Sequence, residues 1–136
     1  MGRGKPVAHS DKERLIGAWR LVSLQSAGAD GKVMSVPGLR GTLIYTRDGH
    51  MSVQIMYPAS AASLSNDYVR NGYEASFGSY DVDEAKHTVT HHVQGSITRA
   101  LVGKDLVRVY EFTTDGRLTI RSTRPDEHWS VTWQHD

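Results

Sequence analysis

The chain has 136 residues, no cysteine, and 16 Lys and Arg against 15 Asp and Glu, a formal charge of +1. That length supports one domain with a real core and not two, and the even mix of signs lacks the basic footprint of a nucleic-acid or membrane-surface binder. Without cysteine there are neither disulfides nor thiolate metal sites. No run approaches the ~20 apolar residues of a membrane span, and residues 1–10 lack the apolar segment of a signal peptide, so a cytoplasmic protein is expected.

Residues 1–9, basic and containing Gly and Pro, read as a flexible arm before a single domain of residues 10–136. Ser10 and Glu13 have the spacing of a capping box, which satisfies free backbone N–H groups and starts a helical turn through about Ile16. Residues 17–26 alternate as a first strand, ended by Gly28-Ala29-Asp30-Gly31. Residues 32–39 are ambiguous apart from the Pro37-Gly38 turn.

Two later strand pairs share a device. Residues 42–46 and 51–56 are joined through Arg47-Asp48-Gly49, and residues 106–113 and 117–122 through Thr114-Asp115-Gly116. A two-residue Asp-Gly loop would set Phe112 opposite Thr119 and Glu111 opposite Ile120, mixing apolar with polar. A three-residue loop with Gly left-handed sets Phe112 against Leu118 and Tyr110 against Ile120, and aligns Leu43 with Val53 and Tyr45 with Met51. Three-residue loops are therefore expected in both. The inward sets are then Leu43, Tyr45, Met51, Val53 and Ile55, with Leu106, Arg108, Tyr110, Phe112, Leu118 and Ile120.

Residues 58–72 break the β pattern with small and polar side chains, a composition that leaves a short helix and a lid both open. Residues 77–82 and 88–96 form a further hairpin around a polar loop at 83–87. The last strand, 127–134, puts Trp129, Val131 and Trp133 on one face. About eight strands joined by short turns, except near 57–72, imply an all-β protein: a closed, eight-stranded antiparallel up-and-down barrel, the arrangement that leaves no exposed edges. Such a barrel encloses room for packed side chains or one small ligand.

Gly17-Ala18-Trp19 after a helical turn resembles the Gly-x-Trp of lipocalins, whose Trp plugs the closed end of the barrel. Residues 15–23, 43–52, and 77–83 followed by 88–93 more closely resemble the bacterial and fungal lipocalin-like domain family, and the likeness runs from Leu15 to Trp133. The resemblance implies the barrel; it implies no single activity, because such barrels host many. The family usually has Gly where His87 stands, ending the turn at positive φ. His87 thus implies a strained residue or a different loop.

The strand at 88–96 carries His91 and His92, one facing in and one out. The inward imidazole is either a cavity group that moves a proton, with Tyr80 beside it, or a hydrogen-bonded interior His. A five-residue loop pairs Val82 with Thr88 and turns His92 toward the face of Tyr80; a four-residue loop turns in Val89, His91 and Val93. The apolar pattern favours His91 and the family's turn chemistry favours His92. Adjacent His residues on a regular strand cannot both bind one metal, so no metal site is expected.

Arg108 and Tyr110 resemble the Arg-x-Tyr pair with which fatty-acid-binding proteins, barrels of related shape, hold a ligand carboxylate. A buried guanidinium needs an acceptor: a ligand, a rim carboxylate such as Asp81 or Glu111, or stacking on Trp19. Tyr45, Met51, Val53 and Trp133 suit an apolar pocket or plain core. No cofactor motif is present. The expectation is a cavity that binds a small hydrophobic or aromatic molecule, carrying a carboxylate or carbonyl, with neither nucleic acid nor membrane as partner. Two rivals stand beside it. One is a cofactor-independent isomerase, cyclase or dehydratase, its His moving a proton while Tyr80, Tyr110 or Arg108 polarises an oxygen. The other is a filled barrel that acts through its surface.

Overall fold

The computed structural model describes residues 10–27 and 33–136; the arm at 1–9 and the turn at 28–31 lie outside them. Ser10 caps a five-residue helix, α1 (Asp11–Leu15), its Oγ accepting from the Glu13 N–H at 3.2 Å. The chain leaves the helix at Ile16 in extended conformation and enters β1 (Gly17–Ala27). Eight further strands follow: β2 (Val33–Ser35), β3 (Arg40–Tyr45), β4 (His50–Met56), β5 (Tyr73–Asp83), β6 (Thr88–Ser96), β7 (Asp105–Phe112), β8 (Leu118–Ser122) and β9 (Trp129–His135). From β3 onward each strand pairs antiparallel with the next, and β9 returns to β1. The first part of β1 pairs with β3 while its last residues pair with β2, so eight strands close the barrel and the short β2 extends one edge.

Register follows the burial of alternate side chains. Leu43 pairs with Val53 and Tyr45 with Met51; Phe112 pairs with Leu118 and Tyr110 with Ile120. Both loops therefore hold three residues and end on a left-handed glycine, Gly49 at φ +93° and Gly116 at φ +84°. Thr46 and Thr113 brace them: each hydroxyl donates to the following Asp carboxylate and accepts the backbone N–H of His50 or Arg117. The expected inward residues of β3 and β4 are all buried.

In the β5–β6 hairpin Asp83 pairs with Thr88 and Tyr80 with His91, leaving a four-residue loop at 84–87. This register turns His91 inward and His92 outward. His87 does take the left-handed conformation, at φ 54°, at a cost of about 1–2 kcal/mol for a residue with a Cβ. Its ring stacks nearly parallel on Tyr110 at 5.7 Å, a contact glycine could not make. β5 starts at Tyr73, earlier than the expected 77. Its added inward positions, Glu74 and Ser76, face Ile55 and Val53 across the ladder and carry no apolar signal.

The three hairpin loops and α1 gather at one end of the barrel. There Leu15, Trp19, Tyr45, Tyr110 and Leu118 are almost wholly buried. The Trp19 indole donates to the Leu15 carbonyl at 2.8 Å and lies 3.5 Å from the His135 ring. At the opposite end run the longer connections at 57–72, 97–104 and 123–128. The first contains a 3-10 turn at Ala59–Ala61, and Asn66 knots it by accepting the N–H groups of Tyr68 and Val69. Val69 is 1% exposed, so this segment is fastened into the barrel mouth. Among the described residues no helix is long and apolar enough to cross a membrane.

Candidate functional site

The longer-loop end encloses a cavity of about 190 Å³. A dry void near 150 Å³ holds benzene, whereas drug-sized ligands occupy roughly 300 Å³ or more, so this space suits a molecule of about one ring. Leu43, Val53, Ile55, Leu106, Ile120, Val131 and Trp133 form its apolar wall. Tyr57, Asn66, Tyr68 and Val69 from the 57–72 segment complete the lining, with Trp129 from the start of β9. The polar groups are few: Arg108, Glu74, His91, Ser76 and Ser26, besides Asn66.

Of the residues singled out in the sequence, Val53, His91, Arg108 and Trp133 line this space; Tyr45, Met51, Tyr80 and Tyr110 are buried without lining it. Tyr80 donates its hydroxyl to the Thr46 carbonyl at 2.7 Å. Tyr110 donates to Asp11 of α1 at 2.6 Å, so Arg108 and Tyr110 do not converge on one ligand group. They share the inward face of β7, but the spacing of alternate residues, about 6.8 Å, carries them into different compartments.

His91 forms part of the floor. Its Nε2 lies 2.6 Å from the Tyr45 hydroxyl. Burial, aided by the charge of Arg108, pushes the imidazole down to about 3, and burial raises the Tyr45 phenol far above its usual value. The ring is therefore neutral and the phenol protonated. Tyr45 has no other acceptor among the described residues, so its hydroxyl donates to Nε2 and the ring proton sits on Nδ1. His92, on the outer face, is clasped by Asp105 at 2.7 Å and Asp81 at 2.6 Å, which raise its pKa. Asp81 is thus engaged by His92 and not by Arg108.

Arg108 is 7% exposed. Its guanidinium lies 4.8 Å from the Trp129 ring centroid and 5.2 Å from that of Tyr68, taking the stacking role expected of Trp19. Its charge lowers the pKa of the Tyr68 phenol, against a larger rise from burial. Tyr68 in turn donates to Glu127 at 2.6 Å, and Glu127 accepts from Ser122. No described carboxylate comes within the 4.0 Å of a salt bridge to Arg108. Among the described residues the five donors of the guanidinium therefore have no hydrogen-bond or ion-pair partner.

Glu74 is the group sequence reasoning missed. It faces inward opposite Ile55, and among the described residues its carboxyl has neither a hydrogen bond nor an ion pair. Burial pushes it up to about 7, against a smaller downward pull from Arg108. Near neutral pH it is therefore divided between acid and carboxylate. The signal was present: counting back in twos from Tyr80 reaches Gly78, Ser76 and Glu74. Trp129 adds one further unsatisfied group, an indole N–H that is buried without a partner among the described residues.

The family described as a lipocalin-like domain matches residues 16–135, and the chain belongs to it. A search of curated proteins found no match.

Proposed function

From this lipocalin-like barrel we propose that the protein binds one small apolar or aromatic molecule, about one ring in size, whose carboxylate or carbonyl oxygen accepts from Arg108. The observation that carries the reading is Arg108 itself, a buried guanidinium with no carboxylate in contact among the described residues. Desolvating an unpaired charge costs several kcal/mol, and stacking on an aromatic ring returns about 2 kcal/mol at a desolvated site. A ligand oxygen supplies the missing acceptor, and the apolar wall takes the ring. Residues Tyr57, Tyr68 and Val69 cover that ring from the mouth.

Binding of benzoic acid and methyl benzoate to the wild type and to Arg108→Met tests this, by ligand-observed NMR or calorimetry. The substitution is expected to weaken the acid about 10- to 100-fold, the scale of a charge-assisted hydrogen bond, and to leave the ester nearly unchanged. Equal loss for both compounds would show that Arg108 only shapes the wall.

A further inference from the structure

Resting on that binding reading, we infer that the cavity also moves a proton: Glu74 is the base toward a C–H beside a carbonyl whose oxygen lies on Arg108, making this barrel a cofactor-independent isomerase of small unsaturated ketones.

Two oppositely charged side chains enter one apolar cavity, Glu74 from β5 and Arg108 from β7, with β6 between them in the barrel wall. A purely structural pair would close into a salt bridge, because leaving the buried Arg108 charge unpaired is costly. These two do not come within the 4.0 Å of a salt bridge, and the carboxyl of Glu74 has no other partner among the described residues. The cavity space is shared by an acid–base group and an unfilled oxyanion donor.

The other titratable or charged groups around the site fit this assignment. His91, on β6, is held neutral and down at about 3, too weak a base for the task. Tyr57, at the end of β4, is near enough to Glu74 for its pKa to be raised by that charge as well as by burial, and stays protonated. Tyr68 donates to Glu127 and its ring lies under the Arg108 guanidinium. Of these groups Glu74 is the one pushed to about 7, where one carboxyl can both take and return a proton.

The step balances without any further reactant. A carboxylate oxygen of Glu74 takes a proton from the carbon between the carbonyl and the double bond of a β,γ-unsaturated ketone. The C–H electron pair becomes a C=C bond, and the carbonyl π pair moves onto oxygen, where the N–H groups of Arg108 stabilise it. The carboxylic acid of Glu74 then gives the proton to the γ carbon as the C=O bond re-forms. The product is the conjugated α,β-unsaturated ketone, and the carboxylate is restored.

The probe is cyclohex-3-en-1-one, one ring in size. Its conversion to cyclohex-2-en-1-one is followed by ultraviolet absorbance, and deuterium uptake from D2O by NMR, while binding of the product is measured separately. The wild type is expected to catalyse conversion, with a rate that rises as pH passes through about 7. Glu74→Gln should lose ~100-fold or more of the rate while binding the product within about threefold, and Glu74→Asp should keep part of the rate, separating base chemistry from a folding defect. Product binding without conversion above buffer, or a Glu74→Gln variant at the wild-type rate, overturns proton transfer and leaves the binding reading standing. A wild type that binds neither ketone nor benzoic acid overturns both.

Discussion

The two ends of the barrel are built from the same strands, yet they treat polar groups in opposite ways. At the hairpin end, among the described residues, the buried polar tips have partners in the protein: Trp19 on Leu15, Tyr80 on Thr46, Tyr110 on Asp11 and Tyr45 on His91. At the mouth, Arg108, Glu74 and the Trp129 indole stand in or beside a space they do not fill. The boundary crosses β7 between Arg108 and Tyr110 and passes through the Tyr45–His91 hydrogen bond. Polar satisfaction, more than apolar content, separates plug from cavity, because both ends are rich in aromatic and aliphatic side chains.

Substitutions at the two ends sharpen or break that contrast. The largest effect is expected for Trp19→Ala, which empties a site 1% exposed and should cost about 3–5 kcal/mol in urea unfolding. Trp129→Ala, at a half-buried ring beside open space, should cost roughly half as much or less. Equal losses would mean that the mouth is packed as tightly as the plug.

Next comes Glu74→Gln, measured as stability against pH. The folded carboxyl sits near 7 where the usual value is 4.5. Between those two pH values the folded state keeps a proton the unfolded chain gives up, so the contribution of Glu74 to stability declines as pH rises through this window. Removing the charge should flatten that decline. The variant is expected to exceed the wild type by roughly 2 kcal/mol at pH 8 and to match it near pH 4, after allowance for cavity water that relieves part of the desolvation. A wild-type curve without this decline would place the carboxyl in ordinary solvent.

Tyr110→Phe removes one hydrogen bond in the plug. It should cost about 1 kcal/mol and leave benzoic acid affinity as it was; a loss of affinity would return Tyr110 to the ligand site. The smallest effect belongs to His92→Gln on the outer face. The Asp105 and Asp81 contacts raise the folded pKa of His92, so its stabilisation is complete below the usual 6.5 and fades as pH rises through the folded value. For so exposed a clasp the expected loss is a few tenths of a kcal/mol, about the ordinary worth of a surface ion pair.

The barrel was legible because its code is local. Asp-Gly turns with apolar partners on either side fixed the registers of β3–β4 and β7–β8, and the alternation in β9 set Trp133 and Val131 inward. The β5–β6 hairpin was less so, since two local rules disagreed over His91 and His92. The structure reconciles them: the loop has four residues, as the apolar pattern requires, and His87 nevertheless adopts the conformation usually left to glycine. Glu74 escaped notice because a strand face read by its apolar residues hides any position where the cavity needs a polar one.

By itself the sequence determined the fold class, the order of the main strands and most of the side chains that enter the barrel, Glu74 and the choice between His91 and His92 excepted, since alternation and turn chemistry act over a few residues. Only the tertiary structure decided how far along the axis each of those side chains lies, and hence that Tyr110 belongs to the plug while Arg108, Glu74 and His91 share one cavity. That depth depends on the packing of α1 at one end and of the 57–72 segment at the other. Both are contacts between distant parts of the chain that no local pattern encodes.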